Sequence, residues 1–278
     1  MILATVFFAL MQLTVKYLNR IPAIELVFFR CLVSFVLSAG MLAYERVPLL
    51  GKPKNRWLLL GRGAIGAVAL SLFFITLQKL PLASAVLIQF LSPIFATVLG
   101  MFLVGEKVKP WQYMFFALSF SGVLVIRGFN TDLSWLYVGF GLASAMLAGV
   151  AYNIIRKLKN AEHPLVIIFY FPLVTMPVTG IWVAFNWVQP VGYEWLLLLA
   201  CGVFTQIAQY FMTVAYQSDE ISKVASLKYM GIIYALLLGY FLFDEAITWS
   251  LIGGMALVIL GIVLNLAYKR RLEKQANN

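Results

Sequence analysis

Apolar segments long enough to cross a membrane recur along almost the whole chain, separated by short polar breaks. A helix needs about 17–25 predominantly apolar residues to span the hydrocarbon core of a bilayer. Ten segments reach this length, at approximately residues 2–18, 24–44, 57–77, 83–104, 111–127, 135–155, 165–187, 195–216, 221–243 and 248–268. This pattern predicts an all-α integral membrane protein with ten transmembrane helices.

The composition indicates that lipid, rather than water, surrounds most of the chain. Of 278 residues, 63% are hydrophobic and 12% are charged, whereas a soluble domain carries about 25% charged residues. The net charge of +10 would suggest nucleic acid as a partner of a soluble protein. Here the cations cluster in short loops between apolar segments, as the positive-inside rule describes. We therefore expect a lipid bilayer, and no nucleic acid, as the partner of this charge.

Cysteine and histidine are too few to suggest a metal site or a disulfide framework. Cys31 and Cys201 are far apart in sequence and both lie within apolar segments, and His163 is the single histidine. Paired cysteine or histidine spacings would be needed for either kind of site. We expect no metal and no cofactor.

The two halves of the chain resemble each other at a fixed offset. Phe102-Leu103-Val104-Gly105-Glu106 aligns without a gap with Phe241-Leu242-Phe243-Asp244-Glu245, an offset of 139 residues, the difference between 245 and 106. The same offset pairs Gln78 with Gln217, Ala96 with Ala235, Gly100 with Gly239 and Gly122 with Gly261. We therefore expect two five-helix repeats, at 1–127 and 135–268, followed by a basic tail at 269–278.

The distribution of Lys and Arg predicts how the chain is oriented. Fifteen fall on one face: Arg46, Lys52, Lys54, Arg56, Arg62, Lys107, Lys109, Arg156, Lys157, Lys159, Lys223, Lys269, Arg270, Arg271 and Lys274. Four fall on the other: Lys16, Arg20, Lys79 and Arg127. This bias places both termini in the cytoplasm, and we expect a multi-pass protein of the bacterial inner (plasma) membrane.

An odd number of spans in each half turns the second half upside down relative to the first. Glu106 then lies at the cytoplasmic end of the fourth span, and Glu245 at the external end of the ninth. Inverted repeats of this kind are typical of secondary transporters, in which exchange of conformation between the halves produces alternating access.

An ordered set of short motifs accompanies the repeat. In the first half the set comprises Pro22 with Arg30, Ala83-Ser84-Ala85 through Pro93, Gly105-Glu106, Gln112 and Gly122-Val123. The second half keeps Glu245 and Gly261-Ile262 but has Ile232 where the first half has Pro93. In these features the chain resembles the drug/metabolite transporter superfamily, specifically its EamA-type ten-helix carriers. The resemblance implies transport of small organic solutes, such as amino acids or related metabolites, through a central cavity.

Lys228 is the leading candidate for a substrate-binding residue. It falls about two turns into the ninth span, and its equivalent in the first half is Gln89. Equivalent positions flank the axis that relates the repeats, where such carriers bind substrate. An ammonium there would attract a carboxylate or phosphate, with Gln89 and Tyr229 completing the hydrogen bonds. The alternative is that Lys228 extends to the lipid headgroups.

The eighth span carries a polar and aromatic stripe on one helical face. Gln206, Gln209, Tyr210, Thr213 and Tyr216 follow helical spacing, so the stripe forms either a cavity wall or a helix–helix seam. We assign Gln206, Gln209, Tyr210 and Tyr216 to substrate binding. Gln12 of the first span and Asn153 of the sixth join this group, while Ser71 and Ser144 fit polar or close-packing roles equally.

Four further residues are assigned structural or gating roles. Arg30 is interpreted as a pin between helices or a residue that reaches for the headgroups, because Glu25 is about 140° away around the helix. Glu106 and Glu245 stand at span ends, where a carboxylate can cap the following helix. Pro93 completes this group. The spans carry no Asp or Glu at their centres, which favours exchange or downhill movement over proton or sodium coupling.

These observations together predict a secondary transporter for an amino acid or a related zwitterionic or anionic solute. A channel or facilitative pore is the alternative, and an intramembrane enzyme is disfavoured because one histidine cannot supply a membrane protease. We expect a small-molecule substrate and a monomer, with a homodimer left open.

Overall fold

The computed structural model describes residues 1–103, 109–128, 134–159, 161–217 and 230–276, which fold into helices and turns and contain no strand. The helices are α1 (Ile2–Tyr17), α2 (Ala23–Tyr44), α3 (Arg56–Lys79), α4 (Leu82–Gln89), α5 (Ser92–Leu103), α6 (Pro110–Gly128), α7 (Trp135–Lys157), α8 (Pro164–Phe185), α9 (Glu194–Gln217), α10 (Met230–Phe243) and α11 (Trp249–Ala276). A short 3-10 turn, Pro53–Asn55, precedes α3.

The helices have the length and apolarity that a membrane requires. Within the described ranges, seven segments are long enough to cross one: Ala23–Tyr44, Pro53–Lys79, Leu82–Leu103, Trp135–Lys157, Pro164–Phe185, Glu194–Ala215 and Trp249–Lys269. Three further apolar helices are shorter, at Ile2–Tyr17, Pro110–Ile126 and Met230–Phe243. These segments fall where the ten spans were predicted, and the prediction of an all-α membrane protein is confirmed.

The fourth span is broken into two helices. The sequence predicts one helix over 83–104, but α4 ends at Gln89 and α5 begins at Ser92. Pro93 has no N–H to donate to the carbonyl of Gln89 four residues earlier, so the helical ladder cannot continue through this point. Irregular backbone at membrane depth is tolerated where protein or a cavity covers it, and Leu91 is fully buried.

Helix pairs that join the two halves of the chain make most of the packing. α1 packs against α9 and α3 against α7, while α2 packs against α8, α4 against α10 and α6 against α11. α5 packs against α7, and α10 against α1. The core is therefore built between the halves rather than within each of them.

Small residues bring α6 and α11 into close contact. A Cβ atom built on Gly122 would lie 2.5 Å from the carbonyl oxygen of Gly254, and one built on Gly261 would lie 2.6 Å from that of Phe115. The absence of side chains lets the two backbones approach. The prediction that Gly122 and Gly261 serve close packing is confirmed.

Glu245 folds back beneath α10 because of how that helix ends. Asp244 adopts a left-handed conformation with φ of 51°, and the N–H of Glu245 donates to the carbonyl of Gly239 at 3.1 Å, the six-residue bond of a Schellman cap. The carboxylate then accepts the N–H of Leu82. Glu245 thus caps α4 in the first half of the chain, and the expectation that it caps the helix following it was wrong.

Candidate functional site

A cavity of about 140 Å³ lies between the two halves of the chain. Its lining comes from eight helices and from the break after α4, and none of it from α5, α6 or α11 among the described helices. The lining residues are Thr5, Phe8, Met11, Gln12, Arg30, Arg62, Gly66, Ala69, Leu70, Phe73, Val86, Gln89, Phe90, Ala148, Ala151, Tyr152, Ile155, Phe171, Gln209, Met212 and Gly231.

The cavity is displaced toward one end of the bundle. Its lining residues fall in the N-terminal parts of α8 and α10 and in the C-terminal parts of α7 and α9, while those of α1 extend from Thr5 past the middle of the helix to Gln12. At the other end, Lys16 and Glu245 form an ion pair of 3.3 Å, and Lys16 also donates to the carbonyl of Leu80 at 2.5 Å. The bundle is thus bound together at the end away from the cavity.

Arg30 reaches the cavity from α2 and is 2% exposed. Its Nε donates to the hydroxyl oxygen of Thr205 on α9 at 3.0 Å, while its Nη1 is buried without a hydrogen-bond partner among the described residues. The guanidinium carbon lies 5.2 Å from the ring centre of Phe171 and 5.9 Å from that of Phe74. Arg30 therefore connects α2 to α9 and at the same time presents a charge at the cavity.

Arg62 of α3 supplies a second guanidinium. It is 4% exposed, and its guanidinium carbon lies 4.9 Å from the ring centre of Phe171. Within the described ranges, its Nε and Nη1 have no hydrogen-bond partner. The expectation that Arg62 belongs with the cations at one membrane face was wrong, because it lies six residues inside α3. Without Arg62, fourteen cations fall on one face and four on the other, and this bias still predicts cytoplasmic termini.

Both arginines contact the ring of Phe171, and the packing of α3 permits this. A Cβ atom built on Gly66 would lie 2.8 Å from that ring, so the ring sits directly against the backbone of α3. The face of an aromatic ring attracts a guanidinium, but it cannot neutralise one. In the part of the chain that the structure describes, neither arginine has a carboxylate partner, and the lining contains no Asp or Glu.

Three of the predicted glutamines line the same cavity. They are Gln12, Gln89 and Gln209, from α1, α4 and α9. The Oε1 of Gln89 accepts the hydroxyl of Ser144 at 3.0 Å, and that hydroxyl also lies 2.7 Å from the carbonyl oxygen of Ala69. The Oε1 of Gln209 is buried and accepts no hydrogen bond from the described residues. Amide groups that face a cavity offer both donors and acceptors to a polar solute.

Other predicted residues lie away from this lining. The Oε1 of Gln206 accepts the hydroxyl of Ser34 on α2 at 2.5 Å, which makes it part of a helix–helix seam. Tyr210 packs with the apolar residues around α8. The side-chain amide of Asn153 donates to the carbonyl of Ala96 on α5 at 2.7 Å, and so holds α7 against the helix that follows the break.

Several predictions fall outside the described residues. Lys228, Tyr229 and Glu106 belong to this group, and of Tyr216 the structure describes the backbone within α9 but not the side chain. Within the described ranges, no three His, Cys, Asp or Glu side chains come close enough to hold a metal ion.

The comparisons with known proteins agree with this architecture. The profile of the EamA-like transporter family matches residues 1–128 and again 135–267. The chain is 31% identical over 270 residues to the pseudopaline exporter CntI of Pseudomonas aeruginosa, covering 95% of this chain and 94% of that protein. It is 28% identical over 274 residues to solute carrier family 35 member G1 of Homo sapiens, covering 93% and 75%.

Two further matches extend the comparison. A riboflavin transporter of Rhizobium johnstonii is 24% identical over 281 residues, covering 99% of this chain and 92% of that protein. A solved crystal structure superposes with a TM-score of 0.69 over 97% of this chain and 98% of that one, at 22% identity, which supports the fold alone. This multi-pass membrane protein therefore belongs to the EamA-like transporter family, within the drug/metabolite transporter superfamily.

Proposed function

We propose that the protein is a secondary transporter that moves a small organic metabolite, an amino acid or a related zwitterionic or anionic solute, by alternating access. The observation that carries this proposal is the position of Arg30 and Arg62, two buried guanidiniums at one cavity with N–H groups that no atom of the described residues satisfies. A charge inside a membrane is costly unless it is paired or hydrated. A carboxylate of the solute would supply the missing partner for these donors.

Alternating access is supported by how the helices pair. Shifting the numbering by 139 residues carries α1 onto α7, α3 onto α9, and the fourth span onto α10. Under this exchange the α1–α9 contact becomes the α7–α3 contact, and the α5–α7 contact becomes the α10–α1 contact. Two inverted repeats, at 1–127 and 135–268, would produce this pattern.

The asymmetry of the cavity fits one state of such a cycle. The cavity lies toward the end that holds the N-terminus of α1, and the Lys16–Glu245 ion pair binds the opposite end. We propose that both termini are cytoplasmic and that the protein resides in a bacterial inner membrane. The conformation is then closed on the external side.

The names of the relatives support transport of organic solutes but differ in what is carried. One is named for pseudopaline and another for riboflavin. We therefore infer the substrate class from the cavity of this chain, in which Gln12, Gln89 and Gln209 provide the neutral polar groups.

Reconstitution into proteoliposomes tests this proposal. Vesicles preloaded with an unlabelled solute should accumulate the labelled form by counterflow, with a rate that saturates. A channel would show neither saturation nor trans-stimulation, and that result would refute the carrier. The Arg30→Gln variant should lose counterflow, whereas Thr179→Val should keep it, because the Thr179 hydroxyl bonds carbonyls of its own helix.

A further inference from the structure

The two arginines form a single positively charged site rather than two separate ones. Arg30 comes from α2 and Arg62 from α3, and their guanidinium carbons lie 5.2 and 4.9 Å from the centre of the same Phe171 ring. Both side chains line the same cavity and are 2% and 4% exposed. A solute that contacts one guanidinium is therefore within reach of the other.

The charge of this site exceeds what one carboxylate can balance. A guanidinium stays charged in proteins, so the two side chains contribute two positive charges. Lining residues that could offset them are absent from the described part of the cavity, which holds no Asp or Glu. Placing two like charges together in a medium of low dielectric is unfavourable, and a monoanion would leave one of them unbalanced.

The hydrogen-bonding groups of the two arginines lead to the same conclusion. In the part of the chain that the structure describes, Arg30 Nη1 has no hydrogen-bond partner, and neither do Arg62 Nε and Nη1. Nε and one Nη of a guanidinium form the edge that binds a carboxylate or phosphate with two parallel bonds. The Nη on the same edge as Nε is Nη2, as the bonds from Arg20 Nε and Nη2 to Glu194 illustrate. The unsatisfied Nε and Nη1 of Arg62 therefore lie on two different edges and offer one donor each, whereas the Nε of Arg30 is held by Thr205.

We propose that the solute carries at least two negative charges, as a dicarboxylate or a phosphate monoester does, and that Arg62 is the residue that selects the second charge. One anionic group binds each guanidinium across Phe171. The cavity of about 140 Å³ is smaller than the roughly 300–1,000 Å³ typical of drug-sized ligand sites, so the solute is compact. This inference rests on the proposed function and specifies its substrate class.

A panel of paired solutes tests charge apart from size. We would measure thermal stability of the purified protein, and counterflow in proteoliposomes, with dicarboxylates of two to six carbons beside their monoamides. Glycerol phosphate beside glycerol extends the panel to phosphate. A ligand that binds the folded state raises its stability, and constant ionic strength removes general salt effects.

We expect at least one dianion to bind tenfold or more tightly than its matched monoamide or alcohol. Arg62→Gln should remove that preference, so that dianion and monoamide bind within threefold of each other, and Arg62→Lys should restore part of it. A melting curve and the elution volume of each variant establish that it is folded. Thr179→Val serves as the matched control and should keep the original preference.

The outcomes separate this inference from the proposed function. If monoanions or zwitterions exchange in counterflow and no dianion binds more tightly, the two-charge inference is wrong while the carrier stands. If no solute gives saturable counterflow, the proposed function itself fails. A preference for dianions that persists in Arg62→Gln would also overturn the role given to Arg62.

Discussion

The carboxylate of Glu245 lies 3.3 Å from the ammonium of Lys16 and accepts the backbone N–H of Leu82 at 2.7 and 2.8 Å. Three elements meet in this contact: α1, the N-terminus of α4 and the segment after α10. The side chain of Lys16 is 17% exposed and that of Glu245 is 15% exposed, so water screens their interaction only in part. The contact joins the two halves of the chain at the end opposite the cavity.

Removing this contact should open that end of the bundle. Charge-assisted hydrogen bonds contribute about 1.5–3 kcal/mol, so Glu245→Gln or Lys16→Met should shift the equilibrium between conformations roughly tenfold or more. A cysteine replacing Ala83, which is 2% exposed in the first turn of α4, reports the change. With Cys31 and Cys201 removed, it should react faster with a water-soluble thiol reagent in these variants.

The contact between the Glu45 carboxylate and His163 Nε2 provides the control for this experiment. It lies at 3.5 Å between side chains that are 37% and 40% exposed, in the loops near the other end. Glu45→Gln should leave the reactivity at position 83 unchanged. Equal reactivity in Glu245→Gln and the parent protein would show that the contact does not hold the bundle closed.

Thr205 should influence transport although it does not line the cavity. Its hydroxyl accepts the Nε–H of Arg30 at 3.0 Å, and Thr205→Val removes this acceptor while keeping the shape of the side chain. Losing a bond to a buried charged group costs about 1.5–3 kcal/mol, so we expect KM to rise about tenfold. Thr179→Val is the control in a counterflow assay. An unchanged KM would mean that Arg30 is positioned by Phe74 and Phe171 alone.

Lys228 remains the predicted cation of the ninth span. Lys228→Gln should abolish binding of anionic or zwitterionic solutes while the protein stays folded and inserted, because an uncompensated ammonium near the repeat axis would cost several kcal/mol without a solute anion. Ligand-induced thermal stabilisation measures this binding. Transport at the original rate and affinity would instead identify Lys228 as a residue that extends to the headgroups.

The glycines of α6 and α11 allow a stability test with a matched control. Gly122→Ala should lower the free energy of unfolding by about 1–3 kcal/mol, as overpacking does, because its Cβ would lie 2.5 Å from the carbonyl oxygen of Gly254. Gly253→Ala meets nothing within 4 Å and should be neutral or stabilising by up to about 1 kcal/mol. Denaturation in detergent measures both. Equal stability of the two variants would contradict the close contact.

The sequence was sufficient to predict the positions of the spans because their signal is local: about twenty apolar residues can be counted in a row. The same holds for Gly122 and Gly261, whose small size and offset predicted close packing. Gln89 and Gln209 were selected by helical spacing and repeat equivalence, and the structure brings both to one cavity. Whether they bind substrate stays a prediction.

Features that depend on contacts between distant segments were missed. Arg62 was counted with the cations of one membrane face although it falls within the third predicted span, 57–77, and its burial becomes visible only when α3 packs against α7 and α8. Glu245 was expected to cap its own following helix, since nothing local reveals that Asp244 turns the chain back toward Leu82. The break after Gln89 has a local signal in Pro93, but many membrane helices tolerate a proline.

The orientation of the chain gives the last prediction. Fourteen cations on one face against four on the other predict cytoplasmic termini. The inverted repeat then places residue 106 inside and residue 246 outside. Single cysteines that replace Glu106 and Ala246 can be labelled with an impermeant maleimide. Cysteines that replace His163 and Val191 serve as markers of the cytoplasmic and external faces. Ala246, His163 and Val191 are exposed. In intact cells, Ala246→Cys and Val191→Cys should react, and the other two only after permeabilisation. Labelling of positions 106 and 246 from the same side would exclude inverted repeats, and with them the proposed exchange of conformations between the halves.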